Sequence, residues 1–257
     1  MSISSNISNS LQQYFDKILV ISVPRFKERH AHVQQQLQGL PFEFFMGTDK
    51  LQMDMEKINA AGMYDEKLAR HLSRHGKAMS EGEIACSLSH LGVYKMMVEN
   101  NWQRILIFED DVAPDLDNLH LIPDTLNELP GDWELVYFGY LKHENVTTAL
   151  LLKQFFYKIF SALGLMKWSY KMVSNLLPTH YSAHVKKAGF HDCLHAYAIS
   201  LEGARKLIAA QTPVVYRADD LAGALIMKGT IKGFVTEPKF FNQEGFTNQQ
   251  MISEIKR

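Results

Sequence analysis

A chain of 257 residues, 46% hydrophobic and 21% charged, can bury a sizeable core and has the make-up of an ordinary globular protein. Its formal net charge of -1 offers no general attraction to nucleic acid, so no such partner is expected. There is no stretch of about 18 uninterrupted apolar residues, and Met1-Ser2-Ile3-Ser4-Ser5-Asn6 lacks a basic region before an apolar core, so the expectation is a cytoplasmic protein with neither membrane span nor secretory leader.

Lys17 to Val23 is the first predicted strand, stopped by Pro24, a residue that suits the first turn of a helix. Phe26 to Leu37 is predicted as that helix, and Pro41 to Met46 as a second strand ended by Gly47-Thr48-Asp49. Strand, helix, strand at this spacing is a βαβ unit and predicts a parallel sheet in an α/β protein. Arg25 and Arg29 follow the first strand on the expected ligand side. They could bind a diphosphate; the alternative is a pair of solvated helix charges.

Residues 50–79 are polar and weakly periodic, predicting irregular helix and loop. Ser80 and Glu83 form a capping box before a helix that presents Ile84, Leu88, Leu91, Tyr94 and Val98 on one face, ended by Asn100-Asn101. Cys86 and His90 lie within it; His90 taken alone reads as a hydrogen-bonded core histidine. Cys86 and Cys193 show no metal-ligand spacing and suit a reducing cytosol.

Arg104 to Val112 is the stretch around which the chain is organised. Its apolar run Ile105 to Phe108 leads straight into Glu109-Asp110-Asp111. Such a run suits a strand buried on both faces, with the acids where it leaves the sheet, in the ligand crevice of an open α/β sheet. Adjacent carboxylates repel one another unless a cation joins them, and hard oxygen donors suit Mg²⁺ or Mn²⁺. The competing reading is a solvated acidic turn. Asp115 to Leu129 is predicted helical but broken by Pro123, and Trp133 to Gly139 is a further strand closed by its glycine.

Gly82-Glu83-Ile84-Ala85-Cys86-Ser87-Leu88-Ser89-His90, followed after a helix by Ile107-Phe108-Glu109-Asp110-Asp111, resembles glycosyltransferase family 25. The first strand with Arg25 and Arg29, Trp133 to Gly139, and His195 to Ser200 with Gly203-Ala204 are similar to further family segments. One departure is Ser22-Val23-Pro24, where the family usually carries Asn-Leu. The resemblance implies a GT-A-like fold in one domain over 1–257: a mixed, mainly parallel sheet flanked by helices. It implies an inverting transferase that takes a hexose, galactose or glucose, from a UDP-sugar to a lipooligosaccharide or lipopolysaccharide core. The donor would meet Ser22, Arg25, Arg29, Asp49, His90, Glu109 and Asp110. Mn²⁺ or Mg²⁺ would be held by Asp111 and Glu109, with His191, His195 and Gln243 competing for a further contact and His195 taken into the metal set.

Residues 145–191 contain neither Asp nor Glu and interleave Lys153, Lys158, Lys167 and Lys171 with Phe155, Phe156, Phe160 and Trp168. This predicts a helical insertion, either packed on the sheet or lying on an anionic membrane. A peripheral membrane contact and a lipid-linked oligosaccharide acceptor agree with the resemblance.

Ser200 is predicted to cap a helix over Leu201 to Ala210. Val214 to Asp220 is an apolar run ending in acids, and Asp219 or Asp220 is the candidate base for the acceptor hydroxyl; the alternative role is a helix N-cap. Ile231 to Thr236 is a last strand, with Phe240 to Glu244 crossing the site. A phosphohydrolase of the haloacid-dehalogenase type would want Asp first in Asp-x-Asp, and Glu109 stands there. A non-catalytic saccharide- or membrane-binding protein on this fold is the remaining alternative.

Overall fold

The computed structural model describes residues 2–74 and 76–244. In chain order the elements are α1 (Ser5–Tyr14), β1 (Lys17–Ser22), α2 (Lys27–Gln36), β2 (Glu43–Met46), α3 (Met55–Ala60), α4 (Glu66–Leu72), α5 (Glu81–Glu99), β3 (Arg104–Glu109) and β4 (Val112–Pro114). After a 3₁₀ turn at Leu119–Leu121 come α6 (Ile122–Glu128), β5 (Leu135–Leu141), α7 (Thr148–Ala162), α8 (Tyr170–Ser174), β6 (Thr179–His180) and β7 (Val185–Lys187). The rest is β8 (Asp192–Ser200), α9 (Leu201–Ala210), α10 (Ala218–Lys228), β9 (Gly233–Thr236) and β10 (Phe241–Gln243).

The main sheet has the order β2-β1-β3-β8-β5-β9-β7-β6, and β10 pairs with β4 in a separate ribbon. β2, β1, β3, β5, β9 and the short β6 point one way, while β8 and β7 run against them. The α/β, mixed and mainly parallel architecture expected from the sequence is therefore present. The apolar runs of β1 and β3 are central because both faces of each are covered. Val20, Leu106 and Phe108 point into one core layer, and Leu19, Ile105 and Ile107 into the other. β1 and β3 are parallel, with Ile21 opposite Glu109, so their carboxyl ends open at the same edge.

Local chemistry explains most boundaries. Ser80 and Glu83 form the reciprocal capping box that starts α5. Ser200 accepts from the Gly203 N–H at the start of α9. Four boundaries differ from the sequence reading. Pro123 sits in the first turn of α6, where its missing N–H costs nothing, instead of breaking a longer helix. β5 continues through Gly139 to Leu141; a Cβ there would meet His195 Nε2 at 2.3 Å and the Phe241 carbonyl at 2.5 Å, so the residue marks a close approach, not a strand end. The 145–191 stretch is helical only in its first part and returns as the antiparallel edge strands β6 and β7. Arg217 is the N-cap of α10, which puts Asp219 and Asp220 inside its first turn. Helix α1, unread from sequence, buries Ile7 and Leu11.

Candidate functional site

The carboxyl ends of β1 and β3, the loop after β2 and the first turns of α5 enclose a cavity of about 160 Å³. Ser22, Arg25, Arg29, Asp49, His90, Glu109, Asp110 and Asp111 all line it. Each is brought there by a strand end or by the helix that follows it. The loop after β2 can lie against α5 because residue 47 is glycine: a Cβ would strike Ser89 Oγ at 2.4 Å. The Thr48 N–H then donates to that same oxygen at 2.9 Å.

The three acids have different surroundings. Asp110 accepts from Ser22 Oγ, which has His30 Nε2 at 2.9 Å behind it, and pairs with Arg29 Nη2 at 2.8 Å. Burial raises its carboxyl above the usual range, against the pull of Arg29. Asp111 is pushed up to about 7 by burial and by Glu109. Its Oδ2 meets Arg29 Nη2 at 3.2 Å and Gln243 Nε2 at 3.0 Å. Its Oδ1 is buried with no partner among the described residues. Burial would also raise Glu109, but His90, with Nε2 3.3 Å from Glu109 Oε1, outweighs it and holds the carboxyl below its usual value. Arg29 is thus committed to the acids and is not a solvated helix charge.

The arginine side is equally ordered. Arg25 Nε donates to Asp49 Oδ2 at 2.9 Å, and Asp49 is itself almost fully buried. The guanidinium carbons of Arg25 and Arg29 lie 4.2 and 5.1 Å from the ring centroid of Phe26. Guanidiniums beside carboxylates in one cavity are chemistry that suits an anionic ligand together with a divalent ion. Phe26 and Lys50 also line the cavity and were not singled out in the sequence, and Cys86 lines it too.

Residues able to hold a metal fall into two sets. A buried carboxylate oxygen without a partner, on an acid that its neighbours push towards protonation, is the environment a hard divalent cation relieves. Asp111 with Glu109 therefore fits Mn²⁺ or Mg²⁺. The second set is Cys86, His90 and Glu109, with one donor atom from each within 4.8 Å of the others. Cys86 and His90 are one turn apart on α5, a spacing the sequence contains. Burial, Glu109, Asp219 and Asp111 all push the Cys86 thiol well up, which disfavours a hard ion there.

Four expected residues stand outside the cavity. His195 is fully buried in β8, with Nε2 3.2 Å from the Phe241 carbonyl, and its Nδ1 is buried without a partner among the described residues. His191 is likewise buried, its Nδ1 2.9 Å from the Lys142 carbonyl oxygen. Asp219 and Asp220 lie at the start of α10. Asp219 Oδ2 accepts from the Cys193 N–H at 3.3 Å, and burial together with Asp220 raises its carboxyl. Asp220 is gripped by Arg217 Nη2 at 2.5 Å and Arg74 Nη2 at 2.8 Å. Gln243 does reach the cavity, and β10 crosses the acids as expected: the Glu244 N–H donates to the Asp111 carbonyl at 2.9 Å, and Gln36 Nε2 to Glu244 Oε1 at 2.8 Å.

The model of Glycosyltransferase family 25 (LPS biosynthesis protein) matches residues 15–222. Human procollagen galactosyltransferase 2 is 24% identical over 91% of this chain and 36% of its own length. A glycosyltransferase 25 family member of Anopheles gambiae is 27% identical over 76% of this chain and 28% of its own. A Haemophilus influenzae protein carrying a provisional glycosyltransferase name is 35% identical over 43% of this chain and 39% of its own. The chain thus spans about a third of the length of these relatives.

Proposed function

The chain belongs to glycosyltransferase family 25, and from that premise we propose that it moves a hexose, galactose before glucose, from a UDP-sugar to a saccharide acceptor of the lipooligosaccharide or lipopolysaccharide core. The observation that carries the reading is the convergence of Arg25, Arg29, Glu109, Asp110 and Asp111 on one cavity at the ends of β1 and β3. Cations that would bind a diphosphate and carboxylates that would hold a divalent ion line it together. The galactosyltransferase names among the relatives favour galactose.

The reaction we assign is a single displacement with inversion. Arg25 and Arg29 would bind the diphosphate, with Phe26 beneath the two guanidiniums. Mn²⁺ or Mg²⁺ at Asp111 and Glu109 would neutralise charge on the departing UDP. Of the two α10 acids, we assign Asp219 to take the acceptor proton. Burial raises its affinity for a proton, whereas both oxygens of Asp220 are engaged by arginines. Asp49 positions Arg25, and Ser22 positions Asp110. A lipid-linked acceptor and contact with an anionic membrane complete the reading, supported by the acid-free run of lysines and aromatics over 145–191.

The test is a panel of UDP-sugars, each with Mn²⁺, read by thermal shift and by donor hydrolysis. A bound donor raises stability by mass action. Stabilisation and slow hydrolysis with UDP-galactose support the reading. Cleavage of simple phosphomonoesters would indicate a phosphatase, and stabilisation with no turnover on any acceptor would leave a binding protein.

A further inference from the structure

Helix α7 is amphipathic in the wrong sense for a helix packed on a protein. Its one fully buried residue is Gln154, whose Nε2 donates to the Val173 carbonyl at 2.8 Å. The face below it is completed by Leu150, Tyr157 and Ser161, and Ser161 Oγ donates to the Trp168 carbonyl at 2.7 Å. The large apolar residues point the other way. Leu151, Leu152, Phe155, Phe156, Ile159 and Phe160 are between 39% and 57% exposed. Their spacing of one, three, one, three, one is a continuous stripe along one side of an α-helix. A helix on a soluble surface turns such a stripe inward; this one turns it out.

We infer that α7 is an interfacial anchor that lies flat in the surface of an anionic bilayer, with this stripe in the acyl boundary. Length excludes a span: the helix has 15 residues, about 22 Å, where a crossing needs roughly 20 residues. Among the described residues no helix is long and apolar enough to cross a membrane. Charge selects the occupant over a second protein surface. Lys153 and Lys158 flank the stripe on α7, Lys167 and Lys171 follow it, and no acid occurs between Glu144 and Asp192. Lysines draw such a face to anionic headgroups from a distance, and the aromatic rings hold it at the interface.

The anchor also sets the orientation of the catalytic side. A groove of about 760 Å³ runs from Phe160, Leu165 and Trp168, beside the stripe, to Arg74 and Asp220 at the start of α10. With the stripe embedded, this groove opens at the bilayer surface and leads to Asp220. The membrane contact rests on α7 alone; delivery of a lipid-linked acceptor along the groove rests also on the transferase reading.

The experiment is co-sedimentation of the whole chain with phosphatidylglycerol-containing and pure phosphatidylcholine vesicles, at low and high salt. The native protein is expected to bind the anionic vesicles and to be released by salt. Replacing Phe155 and Phe156 by Ser is expected to weaken binding about 10- to 100-fold, on the area those rings can bury. Replacing Lys153 and Lys158 by Gln is expected to weaken it about 30-fold and to reduce the salt dependence. All four side chains are outward or flanking, so the UDP-sugar thermal shift is expected to stay unchanged, which separates failure of the anchor from failure of the transferase reading. Negligible binding to both vesicles, or equal binding by native and Phe155→Ser/Phe156→Ser protein, overturns the inference. So does a native dimer that the Ser variant converts to monomer with no vesicle contact, because the stripe would then be covered by a second copy.

Discussion

Gln243 Nε2 donates to Asp111 Oδ2 at 3.0 Å, tying the strand that crosses the cavity to the last of its acids. The contact leaves Asp111 Oδ1 and Gln243 Oε1 both buried and both without partners among the described residues. A divalent cation held by Asp111 would satisfy its unpartnered oxygen. Asp111→Asn is therefore expected to abolish a Mn²⁺-dependent thermal shift and most turnover while keeping the fold, because the change is nearly isosteric. Metal affinity is expected to rise with pH through about 7, where Asp111 loses its proton. Full activity in excess chelator would remove the ion from the scheme.

The choice between the two donor sets is also measurable. Thiolates select softer ions, and burial together with the carboxylates around Cys86 holds its thiol protonated. Cys86→Ser is expected to leave the Mn²⁺ response of the native protein intact. If that response vanished in Cys86→Ser and in His90→Gln but survived in Asp111→Asn, the ion would belong to the α5 cluster instead.

Continuous apolar runs made β1 and β3 legible, and the position of the acids after β3 followed from them. What periodicity does not carry is partner choice. Nothing in Asp192 to Ser200 says that β8 inserts antiparallel between β3 and β5, and that insertion buries His195. Gly139 carried a signal, but a local one: it reads as a strand end unless the approach of His195 and β10 is known. The Cys86 and His90 pair was visible at helical spacing; its third member, Glu109, comes from a strand across the site. Helix α1 was not read, although Ile3, Ile7 and Leu11, all buried in the structure, stand at helical spacing.

His191 supplies a test of pH-dependent stability away from the cavity. Burial pushes its imidazole down to about 4, against a hydrogen bond to the Lys142 carbonyl. The unfolded chain takes up the proton near pH 6.5, the folded chain only near 4. The stabilisation is therefore complete above 6.5 and is lost as pH falls towards 4, by roughly 3 kcal/mol over that window. In urea unfolding, His191→Gln is expected to be less stable than native protein at pH 7 and to close most of the gap by pH 4.5. Parallel curves at both pH values would show that this histidine does not control the slope.

Asp219 and Asp220 are neighbours with separable fates. Asp219 is the proposed proton acceptor: Asp219→Asn is expected to lower turnover by about two to four orders of magnitude, the usual scale of general-base catalysis, with the donor thermal shift unchanged. Asp220 holds Arg74 and Arg217 together at the start of α10. Asp220→Asn removes the charge that both guanidiniums face, at a cost of about 1–3 kcal/mol in stability. Arg74 and Asp220 line the groove towards α7, so that variant is also expected to raise the acceptor KM more than it lowers kcat. Steady-state kinetics with varied acceptor, together with urea unfolding of both variants, separates the two roles. Near-normal turnover in Asp219→Asn would move the proton acceptor elsewhere. A kcat loss confined to Asp220→Asn, without loss of stability, would exchange the two assignments.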